Sequence, residues 1–130
     1  MTDLTHIGKY RVIRKLGSGA MGSVYEVEHR FIRKRFALKL INADLAQDPA
    51  FRERALHESQ ASATIHHENI VDVSHYGETE DGAPYIVMEF LEGEPLTDLI
   101  EREAPMSVPR SLYFAREILK GLEAAHAAGI

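Results

Sequence analysis

Residues 15–27 read KLGSGAMGSVYEV, with glycines at Gly17, Gly19 and Gly22. The spacing G-x-G-x-x-G lets backbone approach a phosphate, because glycine has no β-carbon in the way. Unrelated folds share that spacing, so the flanks decide its meaning. Before it, Tyr10–Leu16 (YRVIRKL) alternates as a strand does. After it, Ser23–His29 (SVYEVEH) is β-branched and aromatic, with Val24, Glu26 and Glu28 on one face and Tyr25 and Val27 on the other. A dinucleotide-binding fold, as in an oxidoreductase, needs a helix to open at the glycines. A Walker-type loop needs Gly-Lys-Ser/Thr, whereas Gly22 leads into Ser23-Val24. The flanks therefore predict a strand–glycine–strand hairpin, which is either a phosphate cradle or a plain turn with spare glycines.

Further along, residues 29–35 (HRFIRKR) form a basic connector, read as a solvated hairpin turn rather than a nucleic-acid patch. A third strand follows, Arg35–Ile41 (RFALKLI), in which Lys39 is the one charge within the apolar run Phe36, Ala37, Leu38, Leu40, Ile41. Asp48 is a good N-cap and Pro49 a good first residue for a helix reaching Ile65. Steps of four and three from Phe51 reach Ala55, Glu58, Ser62 and Ile65, a stripe that places Glu58 mid-face. A carboxylate on a buried face needs a cation, and Lys39 is the obvious one. With a serine in the stripe, the pattern equally allows Glu58 to lie at the edge and reach water.

Two more strands are expected within residues 69–78 (NIVDVSHYGE) and 84–90 (PYIVMEF), joined through the turn signal Asp81-Gly82. A Gly/Pro linker, LEGEPL, leads to a short helix at residues 96–103. Ser107 can cap a longer one over Val108–Ala127, with Leu112, Ala115, Leu119 and Leu122 on one side and Gly129 as a stop. His66-His67 with His57 reads as a helix-end surface cluster rather than a metal site. Gly121, inside the long helix, has no explanation in the sequence pattern.

The 130 residues carry 15 basic and 20 acidic side chains, a net charge of −5, which argues against nucleic acid as the main partner. There is no cysteine, so neither disulfide nor thiolate chemistry is available. The first ten residues, MTDLTHIGKY, lack a signal-peptide pattern, and no run approaches the ~20 apolar residues of a membrane span. The expected location is cytoplasmic, with an anchor beyond residue 130 left open.

As a set, these features make the chain resemble the eukaryotic-type protein kinases, in particular their bacterial serine/threonine members. GSGAMGSV (Gly17–Val24) fits G-x-G-x-x-G-x-V. FALK (Phe36–Lys39) stands for V-A-I-K, and Glu58 takes the place of the helix-C glutamate. HHENIV is similar to H-P-N-I-V, with Glu68 for proline, and YIVMEFLEGEPL resembles the fifth strand and hinge. The resemblance implies an α+β fold: a kinase small lobe of five antiparallel strands plus helix C, then a hinge and the first two large-lobe helices. The implied division is an N-terminal extension at 1–9, small lobe at 10–88, hinge at 89–95 and the incomplete start of a large lobe at 96–130.

The resemblance also implies ATP as ligand. The loop from Gly17 through Ser18, Gly19, Ala20, Met21 and Gly22 to Ser23 would line the phosphates, with Lys39 on the α- and β-phosphates and Glu58 steadying its ammonium. Leu16, Val24 and Ala37 would cover the adenine and Met88 would stand behind it. Backbone groups of Glu89 and Leu91 would bond its edge, and Glu94 would approach the ribose. The catalytic-loop aspartate and the magnesium ligands of the family lie beyond Ile130. After the hinge the only aspartate is Asp98, and no asparagine follows Asn69. The expectation is thus the N-terminal part of a serine/threonine kinase, inactive alone, with an exposed apolar face on its last helix. Protein substrates, magnesium in the longer protein and a dimer through the small lobe are the further partners that the resemblance allows. The competing expectation is a non-catalytic small-lobe module that binds nucleotide or another kinase.

Overall fold

The computed structural model describes residues 4–130. In chain order its elements are β1 (His6–Ile7), β2 (Tyr10–Ser18), β3 (Gly22–His29), β4 (Arg35–Ile41), α1 (Ala43–Ala46), α2 (Pro49–Thr64), β5 (Val73–Glu78), β6 (Pro84–Glu89), α3 (Leu96–Glu103) and α4 (Val108–Ala127). The strands make one antiparallel sheet in the order β1-β2-β3-β4-β6-β5. Antiparallel strands around the glycines remove the dinucleotide-binding alternative, which needs a parallel crossover.

The sheet has six strands where five are expected. The sixth, β1, is a two-residue strand folded back on Tyr10 and Arg11 around Gly8, whose φ is 55°. Two residues carry no periodicity, so the pattern is silent there. Ile7, placed by the sequence in an extension outside the lobe, is buried in its core. β5 begins at Val73 rather than near Asn69, because residues 67–70 close a turn. The Ile70 N–H donates to the His67 carbonyl at 3.1 Å, and the Asn69 N–H to His67 Nδ1 at 3.0 Å.

One face of the sheet carries the core: Ile7, Tyr10, Val27, Phe36, Leu38, Tyr85 and Val87. Tyr10 meets Phe36 and Tyr85 edge-on, at centroid separations of 6.0 and 6.3 Å. The Tyr85 ring fits only because Gly77 has no side chain; a β-carbon there would meet the ring at 2.5 Å. Residues directly opposite in a ladder share a face. Two rungs, Val24–Lys39–Ile86 and Glu26–Ala37–Met88, therefore line the other side.

Helix α2 starts as its sequence dictates. Asp48 Oδ1 accepts from the Ala50 N–H at 3.0 Å, and Pro49 occupies the first position, where a missing N–H costs nothing. Its polar and apolar side chains are spread almost evenly around the axis, and Ser59 is its one buried residue. Helix α4 is capped by the Ser107 hydroxyl and turns Phe114, Glu117, Gly121 and Ala124 towards the rest of the chain. Its apolar stripe faces outwards: Leu112, Leu119 and Leu122 are all exposed.

Candidate functional site

The glycine hairpin joins β2 to β3 with Gly17 opposite Val24 and Ser18 opposite Ser23. The Gly19 N–H donates to the Gly22 carbonyl at 2.8 Å, and the Ser18 and Ser23 hydroxyls lie 3.2 Å apart across the turn. Asn42, just past β4, holds the tip. Its backbone N–H donates to the Met21 carbonyl and its side-chain amide to the Ala20 carbonyl, both at 3.0 Å. With its amide so engaged, Asn42 does not cap α1 through its side chain.

The three glycines have different jobs. A β-carbon on Gly22 would collide with the β4 backbone, so glycine is needed there for packing. Around Gly17 and Gly19 the space where a β-carbon would point is open, and neither has the positive φ that would demand glycine. The fold therefore gives no reason for these two. Their absent side chains leave bare backbone facing open space, which is what a phosphate chain needs to come close.

Lys39 sits on β4 opposite Val24, one rung from Ala37 and Met88, so four of the expected nucleotide contacts share one face of the sheet. Ala37 is buried and Val24, Lys39 and Met88 are half-buried, while Leu16 is exposed at the mouth. At the hinge the Glu89 N–H donates to the Asp72 carbonyl at 2.9 Å, which leaves a ligand only the Glu89 carbonyl. Leu91 is exposed beyond it. Glu94 is engaged by the Arg102 guanidinium through both carboxylate oxygens, so it is not free to take a ribose in this arrangement.

Glu58 is exposed, and among the described residues neither it nor Lys39 takes part in an ion pair within 4 Å. The pairing inferred from the stripe is absent from this structure. The half-buried and buried residues on α2 are Phe51, Arg52, Ala55, Ser59, Ala61 and Ser62, and this face holds Ser59 where the expected stripe holds Glu58. Ser59 turns its hydroxyl back onto the Ala55 carbonyl at 2.7 Å, which lets a polar residue fill the buried position.

The charge network that does form here was missed in the sequence. Glu26, only 3 % exposed, accepts from Arg14 Nε at 2.6 Å and Arg35 at 2.9 Å. Arg35 also reaches Glu92 at 2.9 Å and lies over the Phe90 ring at 4.7 Å, tying the sheet to the hinge. Burial pushes the Glu26 carboxyl upward, but the hydrogen bonds and charges of Arg14 and Arg35 outweigh it and hold it below the usual carboxylate range. The available signal was that Glu26 shares a strand face with Val24, which the resemblance places over the adenine.

Gly121 gains an explanation as well. A β-carbon there would stand 2.9 Å from the Asn69 carbonyl oxygen, while the Asn69 amide donates to the Glu117 carbonyl and carboxylate at 2.8 and 2.9 Å. The turn after α2 is thereby docked on α4.

The protein kinase domain model matches residues 10–130. The chain belongs to the protein kinase domain family. Among curated relatives, the serine/threonine-protein kinase PknH of Mycobacterium tuberculosis is 37 % identical over 123 residues, covering 95 % of this chain and 20 % of the relative. PknE of the same organism is 37 % identical over 125 residues, covering 96 % and 22 %. Among solved structures, the kinase domain of Mycobacterium tuberculosis PknI, as its C20A mutant, superposes with a TM-score of 0.87 at 30 % identity, over 100 % of this chain and 53 % of that one. The chain thus spans about a fifth of those curated relatives and about half of the solved kinase domain. As a protein kinase chain it carries the small lobe, with Lys39 on the face of the sheet opposite its core and the glycine hairpin at the end of β2 and β3.

Proposed function

We propose that this chain is the ATP-binding part of a protein serine/threonine kinase, which moves the γ-phosphoryl group of ATP to a serine or threonine hydroxyl of a protein. The observation that carries the reading is the shared face of Val24, Ala37, Lys39 and Met88 beneath a hairpin whose Gly17 and Gly19 open onto free space. Val24 and Ala37 offer apolar cover to a purine. Lys39 brings a compact positive charge under the hairpin, where a phosphate chain would lie. The hairpin backbone, open where side chains on Gly17 and Gly19 would stand, lets a phosphate come close without steric obstruction.

ATP fits these residues, and it would supply the transferable phosphoryl group. Magnesium would bind through one or two protein side chains together with the phosphates of the nucleotide, and the family pattern draws those side chains from the catalytic loop and the DFG segment. The catalytic-loop aspartate of the family is also not in this sequence. We therefore assign nucleotide binding to these 130 residues, with phosphoryl transfer requiring the family's catalytic loop in addition.

The experiment is a titration of the chain with a fluorescent ATP analogue, in parallel with a radiolabelled phosphoryl-transfer assay on a general protein substrate. Saturable binding that ATP displaces and that Lys39→Ala weakens, without turnover by the chain alone, supports the reading. Binding indifferent to Lys39→Ala overturns the site, and turnover by the chain alone overturns the division of labour. The unpaired state of Lys39 and Glu58 favours a second reading, a nucleotide- or kinase-binding module without catalysis. An Asp→Asn change in the catalytic loop of the longer protein separates the two, since a kinase loses transfer and a binding module has none to lose.

A further inference from the structure

The β3–β4 hairpin ends in residues 30–34 (RFIRK), which have no part in the nucleotide face. Phe31 is 74 % exposed and Ile32 64 %, the most exposed pair of neighbouring large apolar side chains in the described chain. They are presented by an ordered turn. The His29 N–H donates to the Lys34 carbonyl and the Arg33 N–H to the His29 carbonyl, both at 2.9 Å, while the Phe31 and Ile32 N–H groups point at His29 Nδ1. Arg33 holds a left-handed backbone, φ 51°, which an arginine adopts less readily than glycine or asparagine.

Cations flank this apolar tip: the Arg30 guanidinium lies over the Phe31 ring at 5.1 Å and the Lys34 ammonium over the Phe36 ring, at the base of the turn, at 5.3 Å. Arg30, Arg33 and Lys34 belong to the turn, and the backbone of Lys9 lies beside it, the Arg30 N–H donating to the Lys9 carbonyl at 3.1 Å. None of the four is in an ion pair among the described residues. The carboxylates of the supporting strand are already taken: Glu28 by Arg11, and Glu26 by Arg14 and Arg35. A chain of net charge −5 thus projects one end that is uniformly basic with an apolar point.

We infer that this hairpin tip is a membrane-contact finger, in which Phe31 and Ile32 enter the interfacial region of an anionic lipid surface while Lys9, Arg30, Arg33 and Lys34 meet the headgroups. The chemistry favours lipid over other anionic partners. A duplex would use the cations and leave Ile32 in water, and an acidic protein face would need a hollow to receive a projecting point. A bilayer interface accepts both at once, with apolar atoms below and cations level with the phosphates. The inference does not rest on the nucleotide site.

The test is flotation of the chain with phosphatidylglycerol-containing vesicles and with pure phosphatidylcholine vesicles. The expected result is partition onto the anionic vesicles only, weakened by salt. Arg30→Gln and Lys34→Gln should each lower it about fivefold. Phe31→Ser with Ile32→Ser should lower it about tenfold or more. These positions are exposed, so matching circular-dichroism melts are expected for the variants. Leu119→Ser, on the exposed stripe of α4, is expected to leave the partition unchanged. The inference is overturned by absence of partition, by equal partition onto neutral vesicles, by loss with Leu119→Ser but not with the tip variants, or by a duplex oligonucleotide binding the tip while vesicles do not.

Discussion

A β-carbon on Gly22 would stand 2.1 Å from the Leu40 carbonyl oxygen, closer than any real contact. The last glycine of the phosphate motif is therefore a packing residue, set against the backbone of the neighbouring strand. The first two glycines have no such neighbour.

Substitutions at the two kinds of glycine should separate accordingly. Gly22→Ala must push β3 from β4 and should cost about 1–3 kcal/mol of stability, the usual range for overpacking, read as a lower melting temperature. Gly19→Ala meets nothing, so stability should hold or rise by about 0.4–1 kcal/mol. Its added methyl group faces the space assigned to phosphate, so ATP-analogue affinity should fall about tenfold, or ~1.4 kcal/mol. Equal effects of both on the melt would refute the division.

Lys39 and Glu58 give a second test, because they are close in the sequence argument and unpaired in the structure. Lys39→Ala should weaken ATP-analogue binding at least tenfold with little change in melting, since no partner is orphaned by its removal. Glu58→Gln should change that affinity less than about twofold in this chain. A tenfold loss with Glu58→Gln would mean that α2 moves to pair the two when nucleotide binds.

Glu26 should matter for stability. Its side chain is 4 % exposed, whereas those of Arg14 and Arg35 are 62 % and 47 % exposed. Removing the carboxylate thus leaves two cations that water can still reach, not two stranded charges. Glu26→Gln should cost roughly 1–2 kcal/mol, the scale of lost charged hydrogen bonds, rather than the 3–5 expected where a buried charge is left alone. Because the folded state holds this carboxyl below its ordinary value of 4.5, its contribution is full above that pH and fades as pH falls through the folded value. Acid titration of the melting temperature should therefore be shallower in Glu26→Gln than in the parent chain.

Gly121→Ala sets helix propensity against packing. Alanine gains about 1 kcal/mol over glycine within a helix. Here its methyl group would meet the Asn69 carbonyl at 2.9 Å, and that carbonyl belongs to a turn pinned by two hydrogen bonds to Glu117. Packing should win, giving a net loss of about 1 kcal/mol in a denaturant melt. A stabilised variant would show that the turn after α2 is free to shift.

The sequence by itself determined the local elements: strands from alternation, helix starts from Asp48-Pro49 and Ser107, the hairpin from glycines between two strands, and Lys39 as an odd charge in an apolar strand. These follow from interactions within a few residues, which a linear pattern records. Only the tertiary structure decided which glycine packs and which is open, that Glu26 lies in a buried network with Arg14 and Arg35, that Glu58 stands apart from Lys39, and why α4 carries Gly121. Each of these depends on which atom lies across the gap from another strand or helix. Strand register and helix rotation set that neighbour, and both emerge from the packing of the whole chain.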